Sequence, residues 1–318
     1  VSPTPVSRWR RPAVPEAAGS GGDPGTAGPA GAGLIDSHCH LQSLPDGERE
    51  RALDAARERG VRGFLVPATR LDESEDILAF CHRHPDVWCA LGVHPHEAAT
   101  WREGDAKRLT ALLADPRAVG VGECGLDFHY DHAPRAVQLE AMREQWRLAL
   151  DLGLPVVVHN RESNEAMLGA LREPAFAGLA ADFHSFAGGL SMAGELLARG
   201  CYLGLSGMIT FPKADNVREI LGILPAERAL VETDTPYLAP VPYRGQPNRP
   251  AYLVEIAHRL AAATGETPEE VARQTSENFF RLFARAGRRA RDRYLAGAPG
   301  PLRPALAGTG TRAGEVEE

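Results

Sequence analysis

The chain has 318 residues, 43% of them hydrophobic and 24% charged, with a mean hydropathy of −0.25, which is the balance of a globular protein and excludes a chain disordered throughout. The formal net charge is −7, and the five cysteines are odd in number with no C-x-x-C spacing, which argues against a disulfide framework and a cysteine-based zinc site. No apolar run reaches membrane-spanning length and no charged-then-apolar leader opens the chain, so a cytoplasmic protein is expected.

The two ends differ from the middle. Residues 1–33 contain 13 Gly or Pro, and 1–33 and 286–318 together hold only 8 Val, Leu, Ile, Phe, Met or Trp. Such segments bury too little to offset the entropy of ordering, and disordered arms on either side of one domain, 34–285, are expected. The arms carry +1 and +2, which leaves the domain at −10. An acidic domain argues against broad electrostatic capture of nucleic acid, unless something in its site supplies positive charge.

Eight short apolar runs follow one another along the domain, at 34–37, 61–68, 87–93, 118–122, 155–158, 179–183, 201–206 and 229–233. Stretches with helical spacing fall between or after them, among them 48–59, 74–82, 134–152, 162–171, 252–264 and 267–284. Eight β-then-α units in about 250 residues predict a (β/α)8 TIM barrel. A doubly wound open sheet is the alternative, weakened because no run leads into G-x-G-x-x-G or a Walker A loop.

A barrel requires its chemistry at the C-terminal ends of the strands. There the sequence places His38-Cys39-His40, His94-Pro95-His96, Glu123, His159-Asn160-Arg161, His184 and Glu232-Thr233-Asp234. Residues i and i+2 of a strand share a side, so His38 and His40 form a two-imidazole pincer while Cys39 faces the helices, and Glu232 and Asp234 stand in the same relation. Asp36, two residues before the pincer, is expected on that side too, deeper in the barrel and structural. Imidazole and carboxylate suit a divalent transition metal. His38, His40, Glu123, His159, His184 and Asp234 are six ligands, more than one ion with an open position takes, so two ions bridged by Glu123 use them economically. Without a cation, burying so many titratable groups is costly.

Taken in order, IDSHCHLQ, GVHPHEA, GECGLDFHYD, LPVVVHNRES, FHSFAGG, VETDTPYLAP and RGQPNRPAYLVEIA resemble the successive motifs of the TatD family of metal-dependent deoxyribonucleases, a branch of the amidohydrolase-like barrels. The likeness runs from Ile35 to about Phe283, through a closing SENFFRLF, and omits both arms. It implies that His38, His40 and Asp234 hold one ion, that Glu123 bridges, and that His159 and His184 hold the second. Cys124, Phe128 and Ser163 depart from the commoner aliphatic, Tyr and Ala, and none of these is a ligand.

Two divalent ions would activate water and neutralise charge on a phosphodiester. Mg, Mn and Zn all suit the ligands. Asp234 is either the proton acceptor or a ligand alone. Arg161, beside Asn160 in a substrate-binding segment, either grips a phosphate oxygen or pairs with Glu162 or Asp127. His94 is expected to donate to substrate, and His96 to be either that or a loop histidine. Asp127 and Glu232 are expected to orient ligand imidazoles, and His82, His84, His129, His132 and His258 to lie on the surface. The run Arg285, Arg288, Arg289, Arg291 and Arg293 either holds nucleic acid or ends a solvated helix.

Three functions compete. One is a DNA phosphodiesterase acting as a monomer on short single-stranded or frayed ends, releasing nucleotides from a 3′ end or nicking. Another is a small-molecule amidohydrolase, of which the carboxylated-lysine form is excluded because the only lysines, Lys107 and Lys213, lie far from any strand end. The third, a metal-binding scaffold without activity, suits an open bimetal site poorly.

Overall fold

Runs too short for a helix, rich in Val and Leu and each followed by an amphipathic stretch, form eight parallel strands in the computed structural model, which describes residues 33–45, 47–287, 290, 291 and 302. They are β1 Leu34–Asp36, β2 Val61–Pro67, β3 Val87–Leu91, β4 Ala118–Asp127, β5 Val156–Arg161, β6 Ala181–Phe183, β7 Tyr202–Leu205 and β8 Ala229–Val231, hydrogen-bonded in chain order. Helices α1 Glu48–Glu58, α2 Ser74–Arg83, α3 Asp105–Leu112, α4 Arg135–Leu152, α5 Asn164–Leu171, α6 Gly189–Ala198 and α7 Asp215–Glu219 follow the first seven strands, and α8 Leu253–Thr264 and α9 Pro268–Leu282 follow the last.

Closure comes from residues just past the strands. Ser37 N donates to Val231 O (3.1 Å), Asp234 N to His38 O (2.9 Å) and His40 N to Thr235 O (2.9 Å), with Cys39 and Thr235 forming a parallel bridge. The sheet is therefore a (β/α)8 barrel, and its seam carries His38, His40 and Asp234. Asp36 departs from expectation. Ile35 belongs to the cluster inside the barrel, so strand alternation puts Asp36 on the helix-facing side with Leu34, where it keeps a structural role across the β1–β8 seam by accepting from Thr233 N (2.8 Å) and Thr233 Oγ1 (2.6 Å).

Strand β4 also departs, running five residues past the expected end at Gly122. Val121 pairs with Val156 but Cys124 with Val158, so β4 carries one residue more than β5 at Gly122–Glu123. Such a bulge re-aims a side chain, and here that side chain is Glu123. A Cβ at Gly122 would crowd the Val157 carbonyl, and its φ is +134°, so glycine is needed there.

Two apolar clusters hold the layers together. Leu34, Phe64, Val66, Val156, Val158 and Val231 face the helices. Ile35, Leu65, Ala90, Val119, Val157 and Leu230, on the alternate positions, meet Phe279, Phe280 and Phe283 from the end of α9. The helix starts at a capping box, Thr267 Oγ1 accepting from Glu270 N (3.2 Å) and the Glu270 carboxylate from Thr267 N (3.1 Å), with Pro268 at its first position. SENFFRLF thus plugs the barrel floor. Asn278 Nδ2 donates to Ala226 O (2.7 Å) and Ala229 O (2.8 Å), and Ser276 Oγ to Gly33 O (2.8 Å).

Most of the arms 1–33 and 286–318 lies outside the described residues. Of the C-terminal segment, Leu302 is buried in the outer cluster. Arg285 is not part of a free basic run: its guanidinium donates to Leu113 O and Ala118 O, at the floor and away from the strand ends that carry the ligands. Arg291 is exposed, and Arg288, Arg289 and Arg293 lie outside the described residues. Among the described residues no helix is long and apolar enough to cross a membrane.

Candidate metal centre

The seam, the bulge and the ends of β5 and β6 bring the six predicted ligands together at one mouth of the barrel. Glu123 lies between two imidazole pairs. Its Oε2 is 3.2 Å from His38 Nε2 and 3.3 Å from His40 Nε2, and its Oε1 is 2.9 Å from His159 Nδ1 and 2.8 Å from His184 Nε2. Asp234 Oδ1 stands 3.8 and 3.7 Å from the first pair. A positive φ of 59° at Asp234, beyond the end of β8, aims it there; it does not continue the alternation from Glu232. The Gly122–Glu123 peptide is cis.

The donor set fits divalent cations. Two imidazole nitrogens approach to 3.1 Å in the first pair (His38 and His40) and to 3.2 Å in the second (His159 and His184), and Glu123 Oε2 is buried without making a hydrogen bond of sound geometry. Converging lone pairs of this kind are stabilised by a cation among them. The groups His38, His40, Glu123 and His38, His184, Asp234 each hold ligand atoms within 4.8 Å of one another.

His94, Glu123 and His159 form a third such group, but the His94 ring is committed otherwise. Its Nδ1 accepts from His96 N (3.1 Å), which assigns the proton of the neutral ring to Nε2, 3.4 Å from Glu123 Oε1. Burial, only partly offset by Glu123, holds His94 down to about 4. A neutral ring with an Nε2–H facing the mouth is a hydrogen-bond donor and not a ligand.

Asp127 sits behind the second pair, its Oδ2 3.0 Å from both His159 Nε2 and His96 Nε2, and its Oδ1 accepts from the backbone N of His129 and Tyr130. Burial alone would raise this carboxyl, but the hydrogen bonds from His159 and the Tyr130 backbone hold it below the usual carboxylate range. His96 is therefore a structural partner of Asp127. Glu232 Oε1 is 3.5 Å from His184 Nδ1 and accepts from Ser185 N. Burial lifts Asp234 to about 6, against the opposing pull of His184 and His40.

The β5 end divides its residues. Asn160 Nδ2 donates to Asn164 Oδ1 (2.7 Å) and its Oδ1 accepts from Ser163 Oγ (2.8 Å), so its amide is engaged with the start of α5. Arg161 is exposed and pairs with neither Glu162 nor Asp127; its guanidinium lies 4.7 Å from the ring centre of Tyr130.

The outlying histidines vary. His82 and His129 are exposed and pair with Asp115 (2.8 Å) and Glu162 (2.7 Å), and exposed His132 stacks on Tyr130. His84 and His258 are half-buried, His84 against Phe80 and His258 bonded to Leu302 O, which corrects the surface expectation for these two. Sequence reasoning passed over Tyr130 and Tyr237, both more than half exposed beside the site, with Tyr237 6.3 Å from the His40 ring. Their positions three residues past Asp127 and Asp234 were the available signal.

Known proteins resemble the chain over most of its length. The family model of the TatD related DNase matches residues 35–284. A 3′-5′ ssDNA/RNA exonuclease TatD of Cronobacter sakazakii is 39% identical over 244 residues, covering 75% of this chain and 92% of that protein. An uncharacterized metal-dependent hydrolase, YabD of Bacillus subtilis, is 32% identical over 79% of this chain and 98% of its own length. The crystal structure of YjjV, a TatD homolog from Escherichia coli K12, superposes with a TM-score of 0.74 at 30% identity, covering 79% of this chain and 98% of that one. The chain belongs to the TatD-related DNase family of metal-dependent barrel hydrolases.

Proposed function

We propose that the protein is a 3′-5′ exonuclease that hydrolyses DNA at single-stranded or frayed ends. One observation carries the reading: Glu123 divides its two oxygens between the His38/His40 pair and the His159/His184 pair, the arrangement expected of a carboxylate between two cations. In this reading His38, His40 and Asp234 would hold one ion, His159 and His184 the other, and Glu123 would offer one oxygen to each. When bound, the ions supply positive charge and Lewis acidity at the phosphate. The five cysteines, all free and buried, fit a reducing compartment, and the cytoplasm is the proposed location.

The chain's own residues do the rest. Water adds to the phosphorus of the terminal nucleotide, the bond to the 3′-oxygen of the preceding one breaks, and a nucleoside 5′-monophosphate leaves. Asp234, the carboxylate standing farthest from the imidazoles, would accept the proton of the water and pass it to the departing 3′-oxygen. His94 donates from Nε2 to a non-bridging phosphate oxygen as charge builds there. Arg161, held over Tyr130 and free of any carboxylate, grips the phosphate of the next nucleotide. Asp127 fixes the Nε2–H tautomer of His159, leaving Nδ1 as the ligand atom, and Glu232, 3.5 Å from Nδ1 of His184, faces that ring from the side away from Glu123. Asn160, engaged with Ser163 and Asn164, acts by shaping this loop.

The test is digestion of a 3′-labelled single strand with added Mg or Mn. Loss of activity with chelator, and a fall of at least about 1000-fold in Glu123→Ala, is the expected result. Undiminished digestion by that variant would trace the activity to a contaminating nuclease and sink the assignment.

A further inference from the structure

A cleft of about 400 Å³ opens between the loops that follow β6, β7 and β8, walled by Ala187, Met208, Phe211, Lys213, Asn216 and Arg244 among others. None of the reaction steps above uses it. Its walls are largely apolar, no carboxylate lines it, and it holds two cations. The Arg244 guanidinium lies 3.7 Å from the centre of the Phe211 ring. Neither Arg244 nor Lys213 makes an ion pair among the described residues. In a domain of net charge −10 with only two lysines, a pocket with two uncompensated cations and no acid is an exception that asks for an anionic occupant.

The cleft is tied to the ligand cluster through the backbone. Ala187 follows His184 by three residues and Arg244 follows Asp234 by ten, so the loops that build the cleft also carry two of the ligands. They are cross-linked, Val241 N donating to Thr210 Oγ1 (2.9 Å) and Asn216 Nδ2 to Ala187 O (3.4 Å), and the β8 loop is braced within itself by Asn248 Nδ2, which donates to Thr233 O and Tyr237 O (2.6 Å each). Gly207, at the start of the β7 loop, lets that loop close on the next, since a Cβ there would overlap the Leu238 carbonyl. Exposed Tyr237 stands on the β8 loop between Asp234 and Arg244, with its ring near His40.

We propose that this cleft is a nucleotide subsite for a single-stranded substrate, beyond the scissile phosphate. A base stacks on the Phe211–Arg244 pair, and Lys213 and Arg244 grip the flanking phosphates. Aromatic rings and guanidinium planes take any base by its π-face, so the subsite is indifferent to sequence. It rests on the nuclease reading and goes further by assigning the grip on the strand to residues outside the metal centre. The volume is that of a small-ligand pocket, and the charge is the complement of a sugar-phosphate chain.

The test measures binding of a fluorescein-labelled single-stranded decanucleotide by anisotropy, in chelator and over a range of salt, alongside turnover of the decanucleotide and of bis(4-nitrophenyl) phosphate with Mn. Phe211→Ala is expected to weaken strand binding and raise KM for the decanucleotide by about fivefold or more. The double variant Lys213→Ala, Arg244→Ala is expected to do the same and to flatten the salt dependence, the log-log slope falling by roughly 0.7 for each phosphate that is no longer neutralised. Both variants should keep wild-type kcat/KM on the small diester, which reaches only the metal centre. If the wild type digests the strand while both variants bind it with unchanged affinity and salt slope, the subsite is refuted and the nuclease reading stands. Equal losses on the small diester would also refute it, as damage to the mouth. If the wild type digests no strand at all, the nuclease reading fails, and the anisotropy then decides separately: binding lost in both variants supports the cleft, and absence of wild-type binding overturns it.

Discussion

Asp127 illustrates how a single carboxylate sets the chemistry of its neighbours. It accepts from two imidazoles and two backbone N–H groups, and in doing so determines which His159 nitrogen faces Glu123. An amide at this position keeps the shape but accepts with one oxygen only and adds a competing donor. Asp127→Asn is therefore expected to weaken metal binding by about 10- to 100-fold, which competition against a fluorescent chelator would measure; unchanged affinity would mean that Asp127 serves only its loop. The ligands themselves were legible in the sequence because imidazole and carboxylate are expensive to bury without purpose and recur at strand ends. The partners of Arg161 and Asn160 were not. Arg161 rests on Tyr130, supplied by the loop after β4, and Asn160 on Ser163 and Asn164, and such choices depend on how a loop folds back.

At the scale of elements, the eight repeats could be read from alternating apolar and amphipathic stretches, but neither the bulge in β4 nor the seam could. The run GECG ended the apolar pattern, and the structure uses those glycines to bring the backbone close to β5 while Glu123 swings into the mouth. The seam joins residues nearly 200 positions apart, and no local pattern announces which side chains meet there. Asp36 is its buried acid. Burial, partly offset by hydrogen bonds from Thr233, lifts its pKa from 3.8 to about 8, so between these values the folded chain holds a proton that the unfolded chain has released. Stability contributed by this group is then complete below pH 4 and declines as pH rises towards 8. Asp36→Asn has no such proton to lose. In urea unfolding of the metal-free protein, the variant should gain stability relative to the wild type from pH 4 to pH 8 and hold a constant difference above that; a difference independent of pH would show that Asp36 is ionised in the fold.

Across the whole molecule, the two ends of the barrel have separate tasks. The mouth gathers acids, imidazoles and the cationic cleft, so positive charge, whether from bound ions or from Lys213 and Arg244, is concentrated where a phosphate chain would pass. Net charge alone suggested a poor partner for a polyanion, and its placement reverses that. Among the described residues the floor holds no candidate ligand and is closed by α9 and the residues just after it, the phenylalanines filling the barrel while Asn278 satisfies two carbonyls at the entry to β8. Asn278→Ala would leave both acceptors without their donor, at a cost of about 2–4 kcal/mol. Because Asn278 bonds only at the floor and touches no candidate ligand, that loss should appear in the melting temperature and the urea midpoint and not in kcat/KM for folded enzyme at 20 °C. If instead the rate fell in proportion to stability, with metal affinity reduced as well, the floor would be mechanically coupled to the ligand cluster, and α9 would have to be counted among the elements that set the spacing around Glu123.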